Sequence, residues 1–227
     1  MKGIVLVRPD PAVGGRAAAE WAAEEARLRG LPLRSADGVP GPAELAVVGT
    51  GAQHGDTGPA AAFIEASAGP VVVVPDPSPG SSGTFMPDGD VTLGIDARDP
   101  AGACVGFAFA AALLRGAGLR AVYAWSLPAS AARLPFAVPE ADRAEWEDEE
   151  TQWLSDALRP RLLEFPDVPV VREVVRFTPV RALVRHCADS SLVVVGRRPG
   201  RPPGTVVRAL LRSARCPVAV IASPPCR

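Results

Sequence analysis

The sequence predicts an α/β fold: a parallel, five-stranded, doubly wound sheet in the second part of the chain, preceded by a truncated copy of the same fold. Three observations predict it. Short β-branched runs alternate with segments of helical length, the pattern of helices laid on a parallel sheet. The first 90 residues match the second part twice, at two different offsets. Between the copies, residues 75 to 90 gather proline, glycine and serine with almost nothing to bury, which is linker composition. The expected division is 1–74, a truncated repeat; 75–90, a linker; and 91–227, a complete domain.

In the second part, Val91-Thr92-Leu93-Gly94-Ile95-Asp96 reads as a strand, about Pro100 to Gly116 as a helix of small residues, and Leu119 to Trp125 as a second strand. Strand, helix and strand make a βαβ unit. A proline-bearing loop from Leu127 to Pro139 leads to a long helix, roughly Glu140 to Glu164. Trp146, Trp153, Leu154, Ala157, Leu158 and Leu162 fall on one side of it, and the acidic run Glu145 to Glu150 lies mostly on the wet side. Next come a strand from Val170 to Arg176 and a helix opening at Thr178-Pro179, where threonine caps and proline suits the first turn. The buried strand Leu192 to Val195, a helix from Thr205 to Ala214 and a last strand, Val218 to Ile221, complete the set.

At offset 86, Arg29-Gly30-Leu31-Pro32-Leu33-Arg34 falls on Arg115-Gly116-Ala117-Gly118-Leu119-Arg120, and Asp10 on Asp96. At offset 147, Leu45-Ala46-Val47-Val48-Gly49 falls on Leu192 to Gly196, and Pro70-Val71 on Pro217-Val218. The first copy therefore lacks the long helix, the third strand and the helix after it, which leaves about three strands. Each copy ends in an apolar strand, Val71 to Val74 and Val218 to Ile221. Both would lie at a sheet edge, where unpaired backbone groups invite another strand, whether the other copy's as an internal pseudo-dimer or a second molecule's as self-association.

Composition narrows the function. With 48% apolar and 22% charged residues the chain is globular, which excludes whole-chain disorder. The longest charge-free apolar stretch, Pro100 to Leu114, is too short for a spanning helix, and residues 1 to 8 make no secretory signal, so no membrane role and a cytoplasmic location are expected. Net charge is −1, but eleven arginines face three acids after Phe165. Arg208, Arg212 and Arg215 form a basic helix face there. With no interleaved aromatics it reads as solvated, and no nucleic-acid partner is expected. Cys104, Cys187, Cys216 and Cys226 form no Cys-x-x-Cys pair, so no metal site is assigned and buried thiols are expected. Hydrolase, zinc-protease and phosphate-loop motifs are absent, and His54 sits in a glycine-rich loop and His186 on a helix among apolar residues, so no catalytic residue is assigned.

On Trp21-Ala22-Ala23-Glu24-Glu25-Ala26, Gly94-Ile95-Asp96, Val122-Tyr123-Ala124-Trp125, Leu192 to Gly196, Gly204-Thr205 and Cys216 to Ile221, the chain resembles a tandem universal stress protein over nearly its whole length. The resemblance implies a five-stranded α/β sandwich, of which some members bind ATP and others do not. Binders place an aspartate at the end of the first strand against ribose and adenine, and cradle phosphates with a Gly-x-x-Gly-x9-Gly-Ser/Thr loop after the fourth. Glycines let backbone N–H groups approach phosphate, and the next helix adds its dipole. By this resemblance Asp96 matches the aspartate, Ala124 lines the adenine, Gly196 is the first loop glycine, and Gly204 and Thr205 are the closing pair.

Pro199 stands where the second glycine belongs, and Gly196 and Gly204 are eight residues apart where the family pattern needs thirteen. Pro202 and Pro203 remove two more N–H donors. Arg197, Arg198 and Arg201 could bind phosphate in place of those donors, or simply keep the loop soluble. Asp96 could equally cap its own turn. The leading reading is a non-catalytic, stress-associated protein that acts by association, with at most a weakened adenine-nucleotide site. An ATP-binding or slowly ATP-hydrolysing protein with an arginine-rearranged phosphate loop, and a ligand-free scaffold, are the alternatives.

Overall fold

The computed structural model describes residues 3–8, 15–35, 44–50, 58–76, 88–127 and 140–223. The first copy supplies β1 (Val5–Arg8), α1 (Gly15–Arg29), β2 (Leu33–Ser35), β3 (Leu45–Thr50), α2 (Gly58–Ala66) and β4 (Val71–Pro75). The second supplies β5 (Asp90–Ile95), α3 (Gly102–Arg115), β6 (Leu119–Ala124), α4 (Glu140–Glu164), β7 (Val170–Val175), α5 (Pro179–His186), β8 (Ser190–Arg197), α6 (Thr205–Ser213) and β9 (Val218–Ala222). All nine strands join one sheet in the order β2-β1-β3-β4-β9-β8-β5-β6-β7. Neighbours are parallel except at the β4·β9 join.

The second half is the expected five-stranded doubly wound sheet, and α4 spans the residues its periodicity predicts. The first half has four described strands instead of about three. The additional one, β2, is three residues long and exposed throughout, so hydrophobic patterning has no grip on it; its parallel bonding to β1 defines it. Trp153 also departs from expectation. It faces outward at 42% exposure, with the Arg98 guanidinium over its ring, while Leu154 and Leu158 carry the buried stripe of α4.

Two helical layers cover the sheet. One apolar core lies beneath α1, α3 and α4 and includes Phe109, Leu93, Leu119, Leu154 and Leu158. The other lies beneath α2, α5 and α6 and includes Ile64, Leu183, Val193, Val207 and Leu210. Thr178 caps α5 as its sequence suggests, its side chain accepting from the Arg181 N–H at 3.4 Å with Pro179 in the first turn.

At the β4·β9 join, Val71 faces Val220, Val72 faces Ala219 and Val73 faces Val218. Val72 and Ala219 are equivalent under the 147-residue offset, so a local two-fold axis passes between them. The helices beside the axis obey the same symmetry. Arg29 lies over the Phe107 ring at 5.2 Å, and its equivalent under offset 86, Arg115, lies over the equivalent aromatic, Trp21, at 5.9 Å. Glu25, 1% exposed, joins both cations: its Oε1 accepts from Arg29 Nε at 2.7 Å and its Oε2 from Arg115 Nη2. The position equivalent to Glu25 is Ala111, so one carboxylate serves both halves.

On the opposite layer Arg197, 7% exposed, donates from Nη2 to the Ser67 carbonyl just beyond the C-terminus of α2. That helix end carries negative partial charge, which suits a buried guanidinium without a carboxylate. Burial nevertheless lowers the Arg197 pKa, with Glu65 opposing the shift.

Glu25→Ala removes the closest carboxylate from two largely buried guanidinium groups but leaves Arg29 with Glu44 at 3.6 Å and Arg115 with the Ala111 carbonyl at 3.1 Å, so unfolding in denaturant is expected to lose about 3 kcal/mol, the lower end of the range for a broken buried ion pair. A loss under about 1 kcal/mol would mean that both arginines find water instead. Because β4 covers β9, a fragment of residues 88–227 is expected to dimerise or aggregate at concentrations where the full chain does not, as read by light scattering. A well-folded monomeric fragment would show that β9 needs no cover.

Candidate functional site

β5 has β6 on one side and β8 on the other. The chain leaves β5 into α3 on one face of the sheet and leaves β8 into α6 on the other. Their carboxyl ends therefore diverge and open a crevice, the switch point at which doubly wound sheets bind ligands. A cleft of about 1440 Å³ lies there, lined by residues from both layers.

Asp96, Ala124, Gly196, Arg197 and Arg198 all line this cleft; Gly204 and Thr205 are not among its lining residues. Asp96 is exposed just past β5, and its Oδ1 accepts from the Arg98 N–H at 3.1 Å, an Asx turn. The carboxylate thus organises its own turn while facing the cleft. Gly196 lies against Ala101 and Cys104 of the α3 side. Gly200 has φ +67°, so it provides the left-handed turn of the short loop, one place after the position of the family's second glycine. Gly204 is the N-cap of α6 and contributes no side-chain cap bond.

The two arginines after Gly196 separate. Arg198 stays exposed, 3.7 Å from Asp99, at the cleft. Arg197 turns its guanidinium away to the first half of the sheet. The first-copy counterparts, Asp10 and the loop ending at Thr57, lie outside the described residues, as do His54 and Cys226.

Sequence reasoning missed the polar wall. Glu150, placed in an acidic run expected to be wet, is 7% exposed and lines the cleft. It accepts from the Tyr123 hydroxyl at 2.8 Å and from Arg98 Nη2 at 2.7 Å, tying α4 to the ends of β5 and β6. A signal was available: Glu150, Leu154 and Leu158 succeed each other at i, i+4, so Glu150 continues the buried stripe. Arg176 pairs with Glu147 at 3.3 Å beside it.

Burial, then the hydrogen bond to Glu150, pushes the Tyr123 phenol up to about 12, and the Glu150 bond holds Arg98 firmly protonated. Burial pushes the Cys104 thiol up to about 12, so it faces the cleft as an inert thiol at neutral pH. Cys187 and Cys216 are buried and unpaired. Among the described residues no group of three His, Cys, Asp or Glu side chains could hold a metal ion, and no helix is long and apolar enough to cross a membrane.

Tyr123 is the only tyrosine in the chain, so alkaline titration of tyrosinate absorbance reads this wall directly. Its raised folded-state pKa means stability is full below about pH 10 and falls as pH rises toward about 12. Glu150→Gln is expected to move the titration back down, without restoring an ordinary phenol because the burial remains. Ionisation near 10 in the unsubstituted folded protein would contradict the packed Tyr123–Glu150 wall.

The comparisons agree with this architecture. The model of the universal stress protein family matches residues 89–222. The chain is 34% identical over 167 residues to universal stress protein Rv1996 of Mycobacterium tuberculosis, covering 69% of this chain and 50% of that protein. It is 35% identical over 153 residues to Rv2005c of the same organism, covering 65% and 47%. The chain therefore spans about half the length of the curated relatives it matches. A universal stress protein structure from Archaeoglobus fulgidus aligns with TM-score 0.57 and 12% identity over 97% of this chain and 96% of that one. A functionally unknown protein from Pseudomonas aeruginosa PAO1 aligns with TM-score 0.55 and 15% identity, over 97% and 82%. At such identities the structural likeness is one of fold.

Proposed function

We propose that this chain, which belongs to the universal stress protein family, is a non-catalytic, cytoplasmic, stress-associated protein that acts by association and offers one weakened adenine-nucleotide cleft in its second half. The observation that supports the reading is an incomplete site: Asp96, Ala124 and Gly196 line the cleft at the switch point, while α6 reaches it at Val206, the residue after the Gly204-Thr205 pair. A nucleoside has walls to meet, but the short loop with Pro199, Pro202 and Pro203 has few N–H groups to wrap three phosphates.

A second reading, ATP binding through a rearranged loop, is favoured by the position of Arg198 at the cleft mouth. Arg197 weakens it, because that guanidinium already reaches Ser67. Arg198 would be the surviving phosphate contact, and it would have to leave Asp99 to serve.

Isothermal titration with ATP and with AMP separates the two. The expected result is a Kd weaker than about 10 μM, roughly −7 kcal/mol, with ATP gaining little over AMP. An ATP Kd at or below about 10 μM, lost on Arg198→Gln, would favour the rearranged loop. Asp96→Ala is expected to abolish the remaining binding and, by removing the Asx-turn bond to the Arg98 N–H, to cost ligand-free protein no more than about 1 kcal/mol. Binding that survives the substitution would leave Asp96 with its turn alone.

A further inference from the structure

Between Phe177 and Ser223 the chain has eight arginines and one acidic residue, Asp189. Tertiary structure brings most of that charge to one surface. α5 and α6 pack side by side in the layer opposite α4. Arg181 and Arg185 on α5, Arg208 and Arg212 on α6, and Arg215 just beyond it are all exposed. Among the described residues, none of the five has a carboxylate partner within ion-pair distance; Arg181 lies instead over the Phe177 ring at 4.8 Å. The sequence shows only the α6 row. Docking α5 beside it adds a second row about 8–10 Å away, with successive arginines of each row about 6 Å apart along the helix.

The near-neutral total charge does not cancel this face. The acids of α4 and α1 lie on the far side of the sheet, beyond the roughly 8 Å over which exposed charges act at physiological salt. On the near side Glu173 is taken by Arg120 and His186, which leaves Glu65 on α2 and Asp189 as the exposed acids of this layer among the described residues.

The chemistry around the rows selects the partner. Neither α5 nor α6 has an exposed large apolar side chain, and the one exposed aromatic beside them, Phe177 just before α5, is covered by the Arg181 guanidinium, so a folded protein would find charge but at most one ring to anchor on. Both helices turn their apolar stripes, Ala182 and Leu183 on one and Val207 and Leu210 on the other, into the core, so nothing is left to insert into a lipid surface. What remains is a repeated guanidinium array, which matches repeated phosphates. We propose that the α5–α6 face binds the phosphate backbone of nucleic acid without reading its sequence. The face adjoins the cleft at Arg181, which lines it; the other four arginines are not among the cleft's lining residues.

The test is fluorescence anisotropy of the full chain with a labelled 20-base-pair duplex. Five phosphate contacts predict a log–log salt slope of about −4.5, so affinity should fall about 500-fold between 50 and 200 mM salt. The variant R185Q/R208Q/R212Q/R215Q, which spares Arg181 at the cleft and keeps good helix formers, is expected to lose at least tenfold in affinity at 50 mM and to flatten the slope toward −1. R208Q/R212Q should lie between, and R16Q/R27Q/R159Q, on the other layer, should bind like the unsubstituted chain; circular dichroism melts confirm that each variant is folded. A duplex of scrambled sequence should bind equally. The proposal is overturned by no measurable binding at 50 mM, by a folded quadruple variant that binds undiminished, or by a salt slope near zero. It is equally overturned if phosphatidylserine vesicles or polyglutamate bind as tightly as the duplex.

Discussion

Val72 and Ala219 face each other across the antiparallel contact between β4 and β9, and the geometry of the whole molecule follows from that pairing. An apolar strand at the end of a parallel sheet has unpaired backbone groups that must be covered. Here each copy covers the other, and the two-fold relation this imposes brings α1 beside α3. The Arg29–Phe107 and Arg115–Trp21 stacks repeat each other across the axis, and Glu25 neutralises both arginines from one side of it. A carboxylate that reaches both arginines needs no duplicate across the axis, and position 111 is alanine.

The join also bears on the cleft. Arg197 is the last residue of β8, and a strand reverses side-chain direction at every residue. Gly196 therefore faces α3 while Arg197 faces the other layer, where it meets the end of α2. One step after the first loop glycine, the chain is already committed to holding the two halves together. The short proline-bearing loop after β8 and a guanidinium given over to the join are two features of one local arrangement. The first copy can do without α4, β7 and α5 equivalents because its remaining strands, β1, β3 and β4, already bury their valines between α1 and α2.

Much of this was legible in the residues. The two repeat offsets place α2 on α6 and β4 on β9 residue for residue, periodicity located α4, and capping chemistry located the start of α5 at Thr178-Pro179. The exceptions share a cause. β2 is three exposed residues whose strand identity comes from hydrogen bonds to β1. Trp153 and Glu150 exchange their expected environments, because apolar character predicts burial only on average, and a carboxylate met by a phenol and a guanidinium is as well satisfied inside as out.

By itself the sequence determined the fold class, nearly all of the order of elements and the truncation of the first copy, because each follows from local periodicity, turn chemistry or repetition along the chain; Asp96, Ala124 and Gly196 were singled out only by the family resemblance. Tertiary structure alone decided which charges are shared and which stand free. Glu25 meets Arg115, and Arg197 meets Ser67, across 90 and 130 residues of chain. The α5 and α6 arginines become one surface only when their helices dock. Electrostatic partnership depends on distance in space and on burial, and a linear pattern fixes neither until the sheet has closed on its axis.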